Sequence, residues 1–324
     1  MKNLFFLILI FFSFITQAQQ QVLNLASDVW PPFTNSENKK TIALDIVRTA
    51  LEKMNYNTFY EILEFKDVVN GINSGVFDGS AALWKNKERE QTLLFSNPYL
   101  QNQLLLVGLK DSDVSFSSIL ELENKRVGVV NNYAYDDSLL KATNLELVYS
   151  KSDQQNLEKL FENKIDYLLV DSLLIQYLLK FQLNDVQEYL SVSNSAFQVK
   201  TLHFAIRKDV PNASKIIDQF NLEIKKMITD GTYQNILDLD WIRVDVDGDG
   251  KTELVFNGNN AGTKIPKTAY SVFYEQEETK GYTNYYINGK VYTNWEHIPE
   301  IYKKNISIQE SLDVQDPGLR INFQ

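Results

Sequence analysis

The chain alternates between short apolar runs and amphipathic stretches, and it does so twice, on either side of a long apolar run at residues 100–109. The first half reads strand, helix, strand, helix, strand over residues 22–83, and Gly75 closes the second helix. The same order begins again after residue 122 and continues to residue 181. Strands separated by helices at this spacing are typical of parallel sheets covered by helices. The pattern therefore predicts an α/β protein made of two similar units.

Two extended segments connect these units. Residues 100–109 lead from the first unit to the second, and residues 201–206 return across before a long helix at 211–229. We predict two lobes joined by these crossovers, with a cleft at the carboxyl ends of the strands, where ligands bind in open α/β sheets. The predicted lobes are residues 22–101 with 199–240, and residues 102–198.

The character of the chain changes after Trp241. Tyrosine, asparagine, threonine and glycine become frequent, and helical periodicity disappears. Asn288-Gly289 lies between two short β-like runs, which is a strong hairpin signal. We predict a small β-rich appendage over residues 241–324, ordered to about residue 310.

The amino terminus is typical of a secretory signal. Lys2 precedes an apolar run at residues 4–15 that is shorter than a membrane span, and Ala18 ends a small-residue cleavage motif. We expect cleavage near Ala18, with a retained membrane anchor as the alternative. The chain has no cysteine, which excludes a lipid-modified cysteine, disulfides and a thiol nucleophile. These features predict a periplasmic protein that is not membrane-inserted after cleavage.

The formal net charge of −10 argues against nucleic acid or an anionic membrane as a partner. Both of those partners are negatively charged and attract proteins with an excess of lysine and arginine, which this chain lacks. We expect a monomer that binds a small molecule.

Arg89 follows the predicted strand at residues 79–83 and precedes a segment that runs toward another part of the molecule. Such an arginine can face a cleft, where its planar guanidinium matches a carboxylate bidentately. The alternative is a surface arginine paired with Glu88 or Glu90.

Eight short motifs occur in the order expected of one family. They include Trp30-Pro31-Pro32-Phe33 after the first strand, the stretch from Gly75 through Arg89 to Phe95-Ser96-Asn97-Pro98-Tyr99, and the closing Asp230-Gly231-Thr232-Tyr233. This series resembles the family 3 extracytoplasmic solute-binding proteins, the amino-acid-type receptors of ABC importers, over residues 22–240. The resemblance implies a two-lobed periplasmic-binding-protein-like fold of type II, and an ABC permease or a membrane sensor as the partner.

The resemblance also implies roles for seven residues. Arg89 matches the arginine that binds the ligand carboxylate, and Asp171 matches the acceptor of the ligand ammonium. Trp30 and Phe65 match the aromatic walls of the site, with core packing as the alternative. Asp171 has the alternative role of capping the helix that follows it. Asn131, Asn132 and Tyr133 match the loop of the second lobe that helps to hold the ligand carboxylate.

The strand before Arg89 departs from the family pattern. Members carry serine or threonine there, whereas this chain has Ala81, Ala82 and Trp84. Two hydroxyls are lost and an indole is gained, which predicts a larger, flatter or less polar ligand, or a site no longer used for uptake. Trp84 either stacks on the ligand or covers the hinge.

A second constellation follows residue 244. Carboxylates alternate around glycine in Asp245-Val246-Asp247-Gly248-Asp249-Gly250, as in loops that bind Ca²⁺ through oxygen ligands. The motif is similar to dockerin-like loops, without the glutamate at position 12 of a full EF-hand. An acidic turn without metal is the alternative. The predicted ligands are the side chains of Asp245, Asp247, Asp249 and Glu253 and the carbonyl of Lys251.

No pattern favours catalysis. His203 and His297 are the two histidines, they lie far apart in sequence, and triad, phosphate-loop and zinc spacings are absent. His203 lies in the apolar return strand and is predicted to be structural. We predict a non-enzymatic receptor for an amino-acid-like or carboxylate solute, with no cofactor in the solute-binding lobes. The alternatives are a periplasmic enzyme of dehydratase type on the same fold, and an interaction protein with a vestigial cleft.

Overall fold

The computed structural model describes residues 21–36, 41–181, 189–239, 241–246, 252–258, 270–271 and 284–303. The predicted signal segment and much of the carboxyl-terminal appendage lie outside these residues. Among the helices that are described, none is both long and apolar enough to cross a membrane.

The first lobe is built on three parallel strands in the order β2-β1-β3. These strands are β1 (Gln21–Asp28), β2 (Tyr56–Leu63) and β3 (Gly79–Trp84). The connections are α1 (Ile42–Lys53) and α2 (Phe65–Ser74). Helix α2 ends where Gly75 adopts a left-handed conformation with φ of 84°, as the sequence predicts.

Two strands follow before the chain enters the second lobe. They are β4 (Leu93–Phe95) and β5 (Leu100–Leu109). The second lobe repeats the parallel arrangement in the order β8-β6-β7. Its strands are β6 (Arg126–Val130), β7 (Glu146–Ser150) and β8 (Tyr167–Asp171), and its helices are α3 (Asp137–Leu140), α4 (Asp153–Phe161) and α5 (Ser172–Phe181).

Helix α3 is shorter than the helix that the pattern at residues 134–142 indicates. Ala134 and Tyr135 are buried, and the Tyr135 hydroxyl accepts a hydrogen bond from the Val130 amide at 3.0 Å. This side-chain contact holds the start of the segment against the end of β6, so the helix begins only at Asp137. The residues that are not helical form a loop at the cleft.

The return strand joins the two lobes into one sheet. After β9 (Leu190–Val192), β10 (Gln198–Arg207) pairs antiparallel with β5 over its first half and with β3 and β4 over its second. The resulting order is β2-β1-β3-β10-β5-β8-β6-β7. The two crossovers and the two-lobed α/β fold predicted from the sequence are confirmed.

The chain then returns to the first lobe through α6 (Ala213–Asp230) and α7 (Thr232–Leu237). Lys53 at the end of α1 forms an ion pair with Asp230 at 3.1 Å. The Tyr233 hydroxyl donates to the Tyr99 carbonyl, and the Tyr99 hydroxyl donates to the Ala81 carbonyl. These buried contacts connect α7 to the strand that carries the cleft residues.

The carboxyl-terminal appendage is a small sheet in the order β13-β11-β12-β14-β15. Its strands are β11 (Trp241–Val244), β12 (Glu253–Phe256), β13 (Tyr270–Ser271), β14 (Tyr285–Ile287) and β15 (Lys290–Tyr292). Asn288 and Gly289 both have positive φ, as a two-residue hairpin turn requires. Ile242, Val244 and Val255 belong to the main core, so the appendage packs on the lobes.

Candidate functional site

The loop after β1 presents Trp30 to the cleft. Trp30 and Thr34 exchange backbone hydrogen bonds at 2.9 Å, and the Thr34 hydroxyl donates to the Asp28 carbonyl at 2.7 Å. Two prolines within this turn exclude helix and strand, so the chain closes on itself. The turn holds Trp30, which is 4% exposed, against Phe33 with ring centroids 4.4 Å apart.

Phe65 and Trp84 come from the ends of the two neighbouring strands. Phe65 is the first residue of α2 after β2, and Trp84 is the last residue of β3. The Trp84 indole N–H donates to Asn102 Oδ1 at 2.7 Å, which anchors the ring to crossover strand β5. Trp84 therefore lines the cleft and also covers the hinge strand, and its stacking on a ligand stays a prediction.

Arg89 lies in a short 3₁₀ turn, Arg89–Gln91, and its guanidinium faces the cleft. It donates to the carbonyl of Trp84 at 2.6 Å and to the carbonyl of Asn132, in the second lobe, at 2.7 Å. The guanidinium also stacks over the Phe65 ring at 5.4 Å. Burial lowers the pKa of Arg89 to about 10, so the group stays charged at neutral pH. Its donors thus connect the two lobes, and they do so through neutral acceptors.

Tyr133 extends from the loop after β6 into the aromatic side of the first lobe. Its ring centroid lies 4.8 Å from Phe65, 5.2 Å from Trp84 and 5.8 Å from Trp30. Tyr135, two residues on, contacts Trp84 at 5.6 Å. Aromatic rings of both lobes thus pack edge to face across the cleft.

The Tyr133 hydroxyl donates to Asp28 Oδ2 at 2.9 Å. Asp28 is the last residue of β1 and lines the same cavity as Arg89. Burial raises the pKa of Asp28 to about 6, against the opposing effects of the Tyr133 hydrogen bond and the Arg89 charge. Sequence reasoning did not assign Asp28 to the site, although its position directly before the Trp30 turn was a usable signal.

The cavity that remains between the lobes has a volume of about 10 Å³. This volume holds about one water molecule. An amino acid therefore enters only if the lobes separate or if Tyr133 moves. The lining consists of Asp28, Trp30, Phe65, Ala82, Leu83, Trp84, Arg89, Tyr133 and Ala134.

Asp171 ends β8 and is 2% exposed, but it does not line this cavity. Its Oδ1 accepts from the Leu173 amide at 2.7 Å, and its Oδ2 accepts from Asn102 Nδ2 at 3.1 Å. Burial raises the pKa of Asp171 to about 7. Asp171 caps α5 in this arrangement, which is the alternative role that the sequence left open.

Asn131 and Asn132 are exposed at the start of the loop that carries Tyr133. Asn132 has φ of 63° and supplies its backbone carbonyl, not its side chain, to Arg89. Of the eight residues predicted for the ligand site, five line the cavity, Asn132 bonds to Arg89 through its carbonyl, and Asn131 and Asp171 are not part of the lining.

The predicted calcium loop is only partly described, because Asp247, Asp249 and Lys251 lie outside the described residues. Glu253 is 1% exposed, and its Oε2 accepts a hydrogen bond from the Val246 amide at 2.9 Å. Within the described residues, no group of three possible metal ligands comes together. The calcium site stays a prediction.

His203 lies on β10 and is 4% exposed. Its Nδ1 contacts the Ser96 carbonyl and its Nε2 contacts the Thr201 hydroxyl, both at 2.8 Å. Burial lowers the pKa of His203 to about 4. This geometry agrees with the structural role predicted for it.

Comparison with known proteins matches residues 23–242 to the bacterial extracellular solute-binding proteins, family 3. The chain is 26% identical over 239 residues to the arginine-binding periplasmic protein of Mannheimia haemolytica, a match that covers 72% of this chain and 96% of that protein.

Solved structures with this fold include an ancestral arginine-binding protein bound to arginine, with TM-score 0.58 and 20% identity over 67% of this chain and 96% of that one. Another is the ancestral amino-acid-binding protein AncCDT-1, a precursor of cyclohexadienyl dehydratase, with TM-score 0.56 and 18% identity over 67% and 93% of the two chains. The two-lobed architecture and the family match agree, and this chain belongs to the bacterial extracellular solute-binding proteins, family 3.

Proposed function

We propose that this protein is an exported receptor that captures a small amino-acid-like or carboxylate-bearing solute by lobe closure. It would deliver that solute to an ABC importer or to a membrane sensor. The observation that carries the proposal is the half-buried Arg89 guanidinium, which bridges the two lobes through the carbonyls of Trp84 and Asn132. An always-charged fork donor at the meeting point of two lobes is suited to a carboxylate.

A solute carboxylate would replace neutral acceptors of Arg89 with a charged one. An arginine–carboxylate pair can form two parallel charge-assisted hydrogen bonds, which adds energy and geometric specificity that single bonds to two separate carbonyls lack. The exchange requires the Asn132 carbonyl to move aside. Trp30, Phe65 and Trp84 would then stack on the body of the solute, while Asp28 accepts from its ammonium group.

Capture by closure follows from the distribution of these groups. Arg89, Asp28 and the aromatic walls belong to the first lobe, and the loop with Tyr133 belongs to the second. A solute that touches both sides stabilises the closed state by its differential affinity for that state.

A second function, an interaction protein whose cleft no longer binds solute, is favoured by one observation. The cavity of about 10 Å³ is filled by the chain's own rings, with Tyr133 between Phe65 and Trp84. In that case the appendage would carry the interaction. We favour the receptor because a cation, Arg89, and an acid, Asp28, line the same cavity.

We propose binding rather than turnover. The relative from Mannheimia haemolytica is named as a binding protein, and the dehydratase connection is to a precursor that is itself called amino-acid-binding. Export is proposed from the charged and apolar amino terminus, residues 1–18.

The test is thermal melting of the mature chain with a panel of amino acids and organic acids, using wild type, Arg89→Ala and Arg48→Ala. Arg48 is an exposed arginine on α1 that pairs with Asp45. Its replacement by alanine removes the same positive charge away from the cleft, so it serves as the control variant. A ligand that binds only the folded state raises the melting midpoint. We expect the shift in wild type and Arg48→Ala and its loss in Arg89→Ala. No shift with any compound, or equal shifts in all three proteins, would contradict the proposal and favour the interaction protein.

A further inference from the structure

The loop after β6 fills the cleft between the lobes with one of its own side chains. The Tyr133 ring centroid lies 4.8 Å from that of Phe65, 5.2 Å from Trp84 and 5.8 Å from Trp30. The Tyr133 hydroxyl donates to Asp28 Oδ2 at 2.9 Å. Because these four partners belong to the first lobe, a single phenol from the second lobe contacts three aromatic rings and an acid across the cleft.

The same loop also supplies an acceptor to the cation of the cleft. Arg89 donates to the carbonyl of Asn132, the residue before Tyr133, at 2.7 Å. The Phe65 ring connects the two contacts, because the Arg89 guanidinium lies over it at 5.4 Å and the Tyr133 ring packs beside it at 4.8 Å. The loop therefore offers the first lobe a hydroxyl donor, a flat ring and an oxygen acceptor.

The packing angles favour an aromatic ring at the position of Tyr133. The plane of the Tyr133 ring makes angles of 81° with Phe65, 71° with Trp84 and 61° with Trp30. Edge-to-face contacts of this kind depend on the charge distribution of two aromatic rings. An aliphatic solute side chain would fill the space but would lose these contacts.

The rest of the cavity lining offers little to a second polar group. Among the nine described residues that line it, Asp28 is the one acid and Arg89 is the one cation, and the other side chains are aromatic or aliphatic. The Trp84 indole N–H already donates to Asn102 Oδ1 at 2.7 Å. Ala82 supplies a methyl group, which cannot bond to an ammonium. Such a lining suits a flat apolar body with an acid group and a hydroxyl donor.

We propose that the cleft selects a para-hydroxyphenyl carboxylate, whose ring takes the place of the Tyr133 ring, whose hydroxyl donates to Asp28 and whose carboxylate replaces the Asn132 carbonyl at Arg89. This inference rests on the proposed receptor function and specifies its ligand class. The Tyr133 loop is then an internal substitute for the solute, and it leaves the cleft as the solute enters. In this class of solute, Asp28 accepts from a hydroxyl in place of an ammonium group.

The reason for the selectivity is that Tyr133 and the solute compete for the same partners. A solute that displaces the loop without a hydroxyl leaves the Asp28 carboxylate without its donor. A site that hydrogen-bonds a solute hydroxyl discriminates strongly against the analogue that lacks it, because the polar group of the site is left unpaired.

The experiment compares para-hydroxyphenylacetate with phenylacetate, which lacks only the hydroxyl, by calorimetry of the mature chain. The proteins are wild type, Asp28→Ala and Asp67→Ala. Asp67 is an exposed acid on α2 of the first lobe and is not part of the lining, so its substitution removes the same group elsewhere. We expect wild type and Asp67→Ala to prefer the hydroxylated ligand by at least about tenfold, and Asp28→Ala to bring the two ligands within about threefold.

L-Tyrosine and L-phenylalanine form a second pair that carries the α-ammonium group. A hydroxyl preference that depends on Asp28, in either pair, supports the proposal. The pair that binds more tightly identifies whether the solute is an amino acid or a carboxylate without an ammonium group.

A second variant tests the ring position without the solute carboxylate and without a change at Asp28. Tyr133→Ala removes the phenol, and para-cresol is the tyrosine side chain as a free molecule. We expect para-cresol to raise the melting midpoint of Tyr133→Ala more than toluene does at equal concentration. Wild type and Tyr149→Ala, which changes an exposed tyrosine on β7, should show no such difference between the two compounds.

The outcomes separate this inference from the receptor proposal. If no amino acid or organic acid binds wild type, the receptor function fails and this inference fails with it. If another amino acid binds in a manner that depends on Arg89 while both hydroxyphenyl compounds do not bind, the receptor stands and the ligand class is overturned. Equal binding with and without the hydroxyl in wild type, a hydroxyl preference that survives in Asp28→Ala, or equal midpoints with para-cresol and toluene in Tyr133→Ala also overturns it.

Discussion

Tyr133 of the second lobe donates its hydroxyl proton to the carboxylate of Asp28 in the first lobe, at 2.9 Å. The same ring contacts Phe65 and Trp84, and the preceding residue gives its carbonyl to Arg89. The loop therefore contacts the same acid, cation and aromatic walls that a bound amino acid would use. Any solute must compete with this loop.

Replacing Tyr133 by serine should enlarge the cavity and raise the affinity for an amino-acid ligand by roughly tenfold or more, because the ligand no longer displaces a ring. The unliganded protein should lose roughly 1–3 kcal/mol of stability with the hydrogen bond to Asp28 and the ring contacts. Calorimetry and urea unfolding measure both effects.

The matched control for this experiment is Tyr149→Ser. Tyr149 lies in the same lobe on β7 and is 46% exposed, outside the cavity lining. The Tyr149→Ser substitution should change neither the affinity for an amino-acid ligand nor the volume of the cavity. An unchanged affinity in Tyr133→Ser would show that the loop does not compete with the ligand.

The buried acids predict a loss of stability with rising pH. Burial raises the pKa of Asp171 to about 7, and burial with neighbouring acids raises that of Asp153 to about 8. The folded state thus holds protons that the unfolded chain has released, so stability falls as pH rises through this window, by up to roughly 1.4 kcal/mol per pH unit for each group. His203, with its lowered pKa, acts in the opposite direction below about pH 6.5.

Urea unfolding between pH 6.5 and 8.5 measures this slope while avoiding the histidine. Asp153→Asn should flatten the slope by removing one of the two acids. A stability that rises with pH over this window in the wild type would contradict the buried-acid interpretation.

Gly79 on β3 permits the close approach of this strand to the return strand β10. A Cβ at this position would lie 2.8 Å from the Ile206 Cα on β10 and closer still to the Ala205 backbone, which cannot rotate away. Gly79→Ala should therefore destabilise the fold by roughly 2–4 kcal/mol in urea unfolding.

Gly289→Ala is the comparison for this substitution. No atom would lie within 4 Å of its Cβ, and the expected penalty comes only from its positive φ, at about 1 kcal/mol. Equal penalties at the two positions would argue against the close contact at the crossover.

The predicted calcium loop gives a test of the appendage. If Asp245, Glu253 and the residues between them bind Ca²⁺, calcium should raise the melting midpoint. The free energy of unfolding should increase by about 2.7 kcal/mol when free calcium is at a hundredfold excess over the dissociation constant. The effect should weaken in Asp245→Asn. Melting curves that coincide in calcium and in chelator would favour the acidic turn without metal.

Much of the site was predictable because its residues follow strand ends. Trp84 ends a first-lobe strand, Trp30, Phe65 and Arg89 lie in the segments that follow such strands, and all four line the cavity. Asp28, which also lines the cavity, was not recognised. A lone acid at the end of a strand or the start of a helix is common, and only the neighbours that the fold supplies distinguish it.

The sequence by itself determined the order of strands and helices, the two crossovers, the appendage hairpin and the family, because periodicity, turn residues and short motifs act over a few residues. The tertiary structure decided which side chains meet. Asp171 caps α5 and accepts a hydrogen bond from Asn102, and Asp28 accepts one from Tyr133. These contacts join residues that are up to roughly a hundred positions apart in the sequence. A pattern that spans only a few residues cannot predict which of them will meet.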